Sequence, residues 1–283
     1  MHRFEQIIYE NHIGERIYFG IADPSNDNGY AEYYVNENNL RDYNWNVETK
    51  NNNISYFYRG VDSPTLPVVV FSLDERRQME LRNNLHDVFE KDVIENSPGK
   101  IWIGDYYIEC FVTASKKTKY NKTPKLMIVE LTITFASQYW VKETSVVLSQ
   151  THDDDSGLDY YYDYPYDYGG ANRNSNVLIN DSFRDSDFYI TMIGPTKNPR
   201  LYVNDHLYAV DTELGVGESL TIDSIDKTIV KMTEEGEENI FHLRNKDDYI
   251  FELIPTGTSS IAWDGGFQII IILLDERSEP LWT

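Results

Sequence analysis

The chain has 283 residues, 41% of them hydrophobic and 14% aromatic, with 22 tyrosines, one cysteine and a formal net charge of −22. That length accommodates two domains with a core each, and the lone Cys110 excludes both an internal disulfide framework and a cysteine-built zinc site. The charge is uneven: residues 1–150 carry 16 Lys and Arg against 21 Asp and Glu, whereas residues 151–283 carry 9 against 26. The second half therefore lacks the basic face that phosphate contacts need, and no sequence-specific nucleic-acid partner is expected.

From the N-terminus, Met1 to Gln6 contains no apolar signal segment, and no stretch approaches the roughly 18 apolar residues of a membrane span, so a soluble chain without membrane insertion is expected. Residues 4–9, 16–21, 53–58 and 66–71 read as strands, being rich in β-branched and aromatic side chains and bounded by turn residues. The period then changes. Met79, Leu81, Leu85, Val88 and Phe89 recur mostly at three- and four-residue spacings among charges, which predicts one amphipathic helix over 74–93 with Ser72 or Asp74 as its N-cap. Asn96-Ser97-Pro98-Gly99 stops it, and strands resume at 101–103, 106–113 and 126–135, with Gly104-Asp105 as a tight turn. Lys116, Lys117, Lys119, Lys122 and Lys125 form a basic hairpin suited to docking an acidic neighbour, against the plainer reading of edge-protecting lysines on a solvated tip.

Residues 151–175, with His152-Asp153-Asp154-Asp155 and the tyrosine-rich Tyr160 to Tyr168, have no helical period and read as a linker or arm. Beyond it, short runs at 188–193, 200–203, 207–210, 219–222, 228–232, 239–243, 249–253, 259–263 and 267–274 suggest a two-sheet sandwich or jelly roll. The last of these is almost uniformly apolar and is expected to be sealed on both faces. The terminal Pro280-Leu281-Trp282 reads as a pin on that second domain, because an exposed indole forfeits about 2 kcal/mol of burial. The expected fold is thus mainly β: an N-terminal β-domain with one helix (1–150), the linker, and a C-terminal sandwich (176–283).

Catalytic signatures are missing: there is no G-x-S-x-G, H-E-x-x-H, G-x-x-x-x-G-K-[ST] or G-x-G-x-x-G. The aspartates after His152 lack EF-hand spacing, and the pairs Asp247-Asp248 and Glu237-Glu238 are of a kind that acidic chains contain by chance. No enzymatic activity, cofactor or metal site is expected.

The segments Pro199 to Asn204 with Tyr208, Gly217 to Asp223, Phe251 to Gly257, Ile261-Ala262-Trp263 and Arg277 to Trp282, in this order and spacing, resemble the distal tail protein family of long-tailed bacteriophages. The likeness covers most of the chain and is more specific after Gly157. It implies a structural hub of the virion tail tip, assembled in the host cytoplasm. In such a hub the first domain forms a six-membered ring joining the tail tube protein to the tail-tip protein, and a galectin-like sandwich projects outward and in many members holds receptor-binding proteins. On this reading Pro255, Gly257, Trp263, Pro280 and Trp282 shape and seal the outer sandwich, while the helix with Arg76 and Arg77 and the hairpin with Lys116, Lys117 and Lys119 supply ring contacts. The competing reading is a carbohydrate-binding module for host cell-wall glycan, whose surface aromatics stack on sugar rings.

Overall fold

The computed structural model describes residues 6–24, 30–35, 37–119, 125–150 and 177–282. The expected linker at 151–175, with its His152 and aspartates and its tyrosines, lies outside the described residues, as does Lys122. The chain divides into two compact units, one made of residues 1–142 with 276–283 and the other of 143–275.

The first unit contains β1 (Ile7–Glu10), β2 (Arg16–Phe19), β3 (Tyr33–Val35), β4 (Asn46–Lys50), β5 (Asn53–Tyr58), β6 (Thr65–Phe71), α1 (Glu75–Glu95), β7 (Gly99–Ile103), β8 (Tyr106–Lys119), β9 (Leu126–Phe135) and the start of β10 (Trp140–Leu148). Strand β8 pairs with β7 on one side and β9 on the other, so the order β7-β1-β2-β3-β6-β9-β8 closes on itself as a barrel. Closure gives every one of these strands a neighbour on both sides along at least part of its length. The inward set is dictated by strict alternation: Met127, Val129, Leu131, Ile133 and Phe135 of β9 are buried, with half-exposed residues between them. Trp140, fully buried, stacks edge-on to Phe135 in the same core.

Helix α1 begins where its sequence says it should. The Asp74 carboxylate accepts from the backbone N–H groups of Arg76 and Arg77, and Asn96 ends the helix in the left-handed conformation at φ +51°. Its buried face is Gln78, Leu81, Leu85, Val88, Phe89 and Asp92. Met79, expected in this stripe, is instead 58% exposed, one position off the face that Gln78 occupies by donating to the Val70 carbonyl at 3.0 Å. Asp92 gathers the Tyr9 hydroxyl, the His12 backbone N–H at 2.9 Å and the His12 Nδ1, which ties the last helical turn to β1 and the turn after it. A Cβ on Gly99 would collide with that carboxylate and lie 2.8 Å from the Glu10 carbonyl oxygen, so glycine is required there.

The second unit holds the end of β10 and β11 (Val177–Asn180), β12 (Asp187–Ile193), β13 (Thr196–Lys197), β14 (Arg200–Val203), β15 (His206–Ala209), β16 (Glu213–Leu214), β17 (Ser219–Asp223), β18 (Thr228–Thr233), β19 (Gly236–Asn239), β20 (Gly257–Ala262) and β21 (Gln268–Arg277), whose last two residues belong to the first unit. One sheet runs β19-β18-β17-β12-β21-β10 and the other β11-β20-β14-β15. Their inner faces share one core, in which Phe188 of β12 meets Tyr208 of β15 edge to face at 5.3 Å. The sandwich is as expected, with three local differences. Residues 239–243 leave β19 for a one-turn 3-10 segment at Phe241–Leu243. Residues 249–253 form a turn instead of a strand, with the Glu252 N–H donating to the Tyr249 carbonyl at 2.9 Å. Strand β21 buries Ile269, Ile271, Leu273 and Leu274 but leaves Ile270 and Ile272 half-exposed, so one face is sealed more fully than the other.

Candidate assembly surfaces

Among the described residues, strands β4 and β5 pair only with each other and form a separate two-stranded hairpin. Its register places Val47 opposite Phe57 and Thr49 opposite Ile54, while Tyr56 and Tyr58 share the other face with their rings 5.9 Å apart. Every residue of β5 is exposed, including Ile54 at 60% and Phe57 at 55%. An isolated hairpin is marginal in water, and this one presents apolar side chains on both faces. The sequence pattern revealed β5 but not β4, because Asn46-Val47-Glu48-Thr49-Lys50 offers a single large apolar residue.

The cations expected at ring contacts fall in different environments. Arg77 is engaged within the unit, its guanidinium donating through Nε and Nη2 to the Glu32 carboxylate at 2.8 and 2.6 Å, a fork geometry that raises the pKa of its guanidinium. Arg76 is exposed beside Glu80 on the first turns of α1. Lys116, Lys117 and Lys119 lie on the exposed outer half of β8, where Lys116 faces Glu130 of β9 at 3.3 Å.

The closing segment does not pin the sandwich. Residues 276–283 belong to the first unit, and two buried arginines receive them. Arg59 donates to the Ser278 carbonyl at 3.0 Å and Arg41 to the Pro280 carbonyl, with Glu279 3.4 Å from the Arg41 guanidinium. Pro280 is buried, whereas Trp282 is 75% exposed and lies against the Arg41 guanidinium at 4.0 Å. Hydrogen bonding to backbone carbonyls holds this strap, which a tryptophan-centred reading of the sequence misses. In the second unit, Trp263 packs against the core and its indole N–H donates to the Phe267 carbonyl at 3.2 Å, while Gly257 opens β20 at φ +90° just after half-buried Pro255.

The turn at 249–253 walls a cleft of about 430 Å³ lined by Lys227 and by residues 241 and 244–251. Phe241 and Phe251 lie parallel at 5.9 Å, with Arg244 over the Phe241 ring at 4.0 Å and Lys227 over the Phe251 ring at 5.6 Å. Asp248 is committed to the fold, accepting from the Leu207 N–H at 3.0 Å, and the His206 ring meets the Tyr249 carbonyl at 2.9 Å. The Asp247-Asp248 pair is therefore split between a structural and an exposed carboxylate, and Glu237-Glu238 lies on the exposed strand β19. Among the described residues, no three His, Cys, Asp or Glu side chains group as metal ligands do, and no helix is long and apolar enough to cross a membrane.

No family model and no curated protein matches the sequence. Solved structures do. The Dit protein of phage SPP1, described as a paradigm of the hub adsorption apparatus in phages infecting Gram-positive bacteria, aligns over 97% of this chain and 99% of its own, at 9% identity and a TM-score of 0.55. A chain of the phage P2 baseplate in its activated conformation with Ca aligns over 98% and 99%, at 11% identity and 0.56. A chain of the same baseplate activated with Sr aligns over 98% and 100%, at 13% identity and 0.55. At such identities the likeness establishes the fold, and it runs through both units: this chain has the two-unit, mainly β fold of phage tail hub and baseplate proteins.

Proposed function

We propose that this protein is a structural hub of a phage tail tip, a non-enzymatic adaptor whose copies assemble into a ring, six-membered by the family resemblance, between a tail tube protein and a tail-tip protein. The observation that carries this reading is the extent of the structural match, since 97–98% of this chain and 99–100% of each neighbour align. Fold alone does not assign function. The exposed β4–β5 hairpin adds a second, independent reason, because its uncovered apolar faces need a partner, and a ring supplies one at every copy. Arg76, Lys116, Lys117 and Lys119 are the exposed cations best placed to meet the acidic surface of a neighbour, and receptor-binding proteins are the partners expected on the outer sandwich. Light scattering across a concentration series, with negative-stain images of the same sample, tests the ring. A sixfold mass with annular particles is the expected outcome. A monomer at all concentrations, even after mixing with the tail tube protein, would refute it.

A further inference from the structure

Charge pairing in the second unit singles out one place. Residues 151–283 contain only nine basic side chains. Lys197, Arg200 and Lys231 each lie within ion-pair distance of a carboxylate, namely Glu213, Asp211 and Glu218. Among the described residues, Lys227, Arg244 and Lys246 have no carboxylate within that distance, although acidic residues outnumber basic ones almost threefold in this half of the chain, and all three line the same cleft. These three cations outnumber the two carboxylates, Asp247 and Asp248, that line the same cleft, so the lining keeps a net positive charge in an acidic unit, and low-dielectric cleft walls concentrate its field.

The cleft also offers an aromatic platform. Tyr249 is 58% exposed on a turn held rigid by its own carbonyl and by Asp248, so its ring is presented at little conformational cost. Arg244 and Lys227 are kept over the Phe241 and Phe251 rings, which orders the cations without neutralising them. Asp247, exposed beside Lys246, adds a hydrogen-bond acceptor to the cleft lining. A ligand for this cleft therefore needs an anionic group for the cations, a flat apolar face for Tyr249 and hydroxyl donors for Asp247. A polyanion dense in charge would be repelled by Asp247. The volume falls in the range of about 300–1,000 Å³ typical of small-ligand sites.

We propose that this cleft binds a sparsely charged anionic saccharide, carrying phosphate or carboxylate, and gives the outer unit a direct contact with a glycan surface. The assignment is independent of ring assembly, since the cleft lies wholly within the second unit.

The test is calorimetric titration of the full chain with a glycerol-phosphate oligomer bearing sugar substituents, an oligogalacturonate, a neutral malto-oligosaccharide, inorganic phosphate and an oligoglutamate. Saturable binding of one or both anionic saccharides is expected, and which of them binds separates phosphate from carboxylate as the anion recognised. Lys246→Glu should weaken that binding at least about tenfold while Lys246→Arg retains it, as for loss and retention of a charge-assisted hydrogen bond. Tyr249→Ala should weaken it by a similar factor. Unchanged thermal melting would confirm that these surface variants fold. The proposal is overturned if neither anionic saccharide binds, if binding survives Lys246→Glu and Tyr249→Ala, or if inorganic phosphate, oligoglutamate or the neutral sugar binds as tightly.

Discussion

Asp92 is fully buried, yet it carries a carboxylate, and the residues around it show how the first unit meets that cost. Tyr9, 1% exposed, donates its hydroxyl, and His12 donates its backbone N–H, so both donors depend on this one acceptor. Asp92→Ala should therefore destabilise the protein by roughly 3–5 kcal/mol, and Asp92→Asn, which keeps an acceptor, by less. Urea denaturation of the three proteins checks this, and a loss below about 1 kcal/mol for the alanine variant would mean that solvent reaches the stranded donors. Buried tyrosines also set an alkaline limit. Burial, the largest cause, pushes the Tyr33 hydroxyl up to about 12 and raises those of Tyr9 and Tyr208 as well. Unfolded tyrosines ionise near 10, so above that pH the unfolded chain loses protons that the native state still holds. The stability that Tyr33 contributes is complete below pH 10 and is lost as pH rises through 12. Tyr33→Phe should flatten this fall, measured as the change in urea midpoint from pH 9 to pH 11. An equal slope in wild type and variant would show that Tyr33 ionises freely in the native state.

At the scale of elements, legibility in the sequence follows from how local the cause is. Strand β9 is an uninterrupted alternation, α1 has Asp74 at its start and Asn96 at its end, and the β7–β8 turn is set by Gly104 at φ +59°, so each was readable from a few neighbouring residues. The turn at 249–253 was not. Tyr249-Ile250-Phe251 has strand composition, and it is Asp248, by gripping the Leu207 N–H 41 residues away, that bends the chain. The cleft is a tertiary product for the same reason, joining Lys227 to Arg244 and Lys246 from separate segments. The β4–β5 hairpin was half legible, and its exposure is a property that no pattern encodes. If neighbouring copies cover it, Phe57→Asp should abolish ring formation while leaving the melting of the single chain unchanged, because Phe57 is already 55% exposed there. Rings of undiminished mass from this variant would move the interface elsewhere.

For the whole molecule, chain order and compactness disagree in an informative way. The first unit is discontinuous, since residues 276–283 return to it after the second unit is complete, and the two hydrophobic cores share no residue. Separate cores imply separate cooperativity. Residues 143–275 alone should melt in one sharp transition. Residues 1–142 alone should be weakened, because Arg41 and Arg59, both more than nine-tenths buried, then lose the Pro280 and Ser278 carbonyls and keep buried charges with fewer acceptors. Stranding such groups costs about 1–3 kcal/mol each. Joining residues 276–283 to residue 142 through a flexible Gly-Ser linker should restore most of that loss, since a linker of about a dozen residues adds only a small closure entropy. Trp282→Ala in the joined form should cost far less than removing the strap, because the indole is 75% exposed and the strap is held by the carbonyls before it. Calorimetric melting of the fragment, the joined form and its Trp282→Ala variant separates these contributions. If the fragment and the joined form melt alike, the strap is an ornament of the fold, and the two arginines find their acceptors in water.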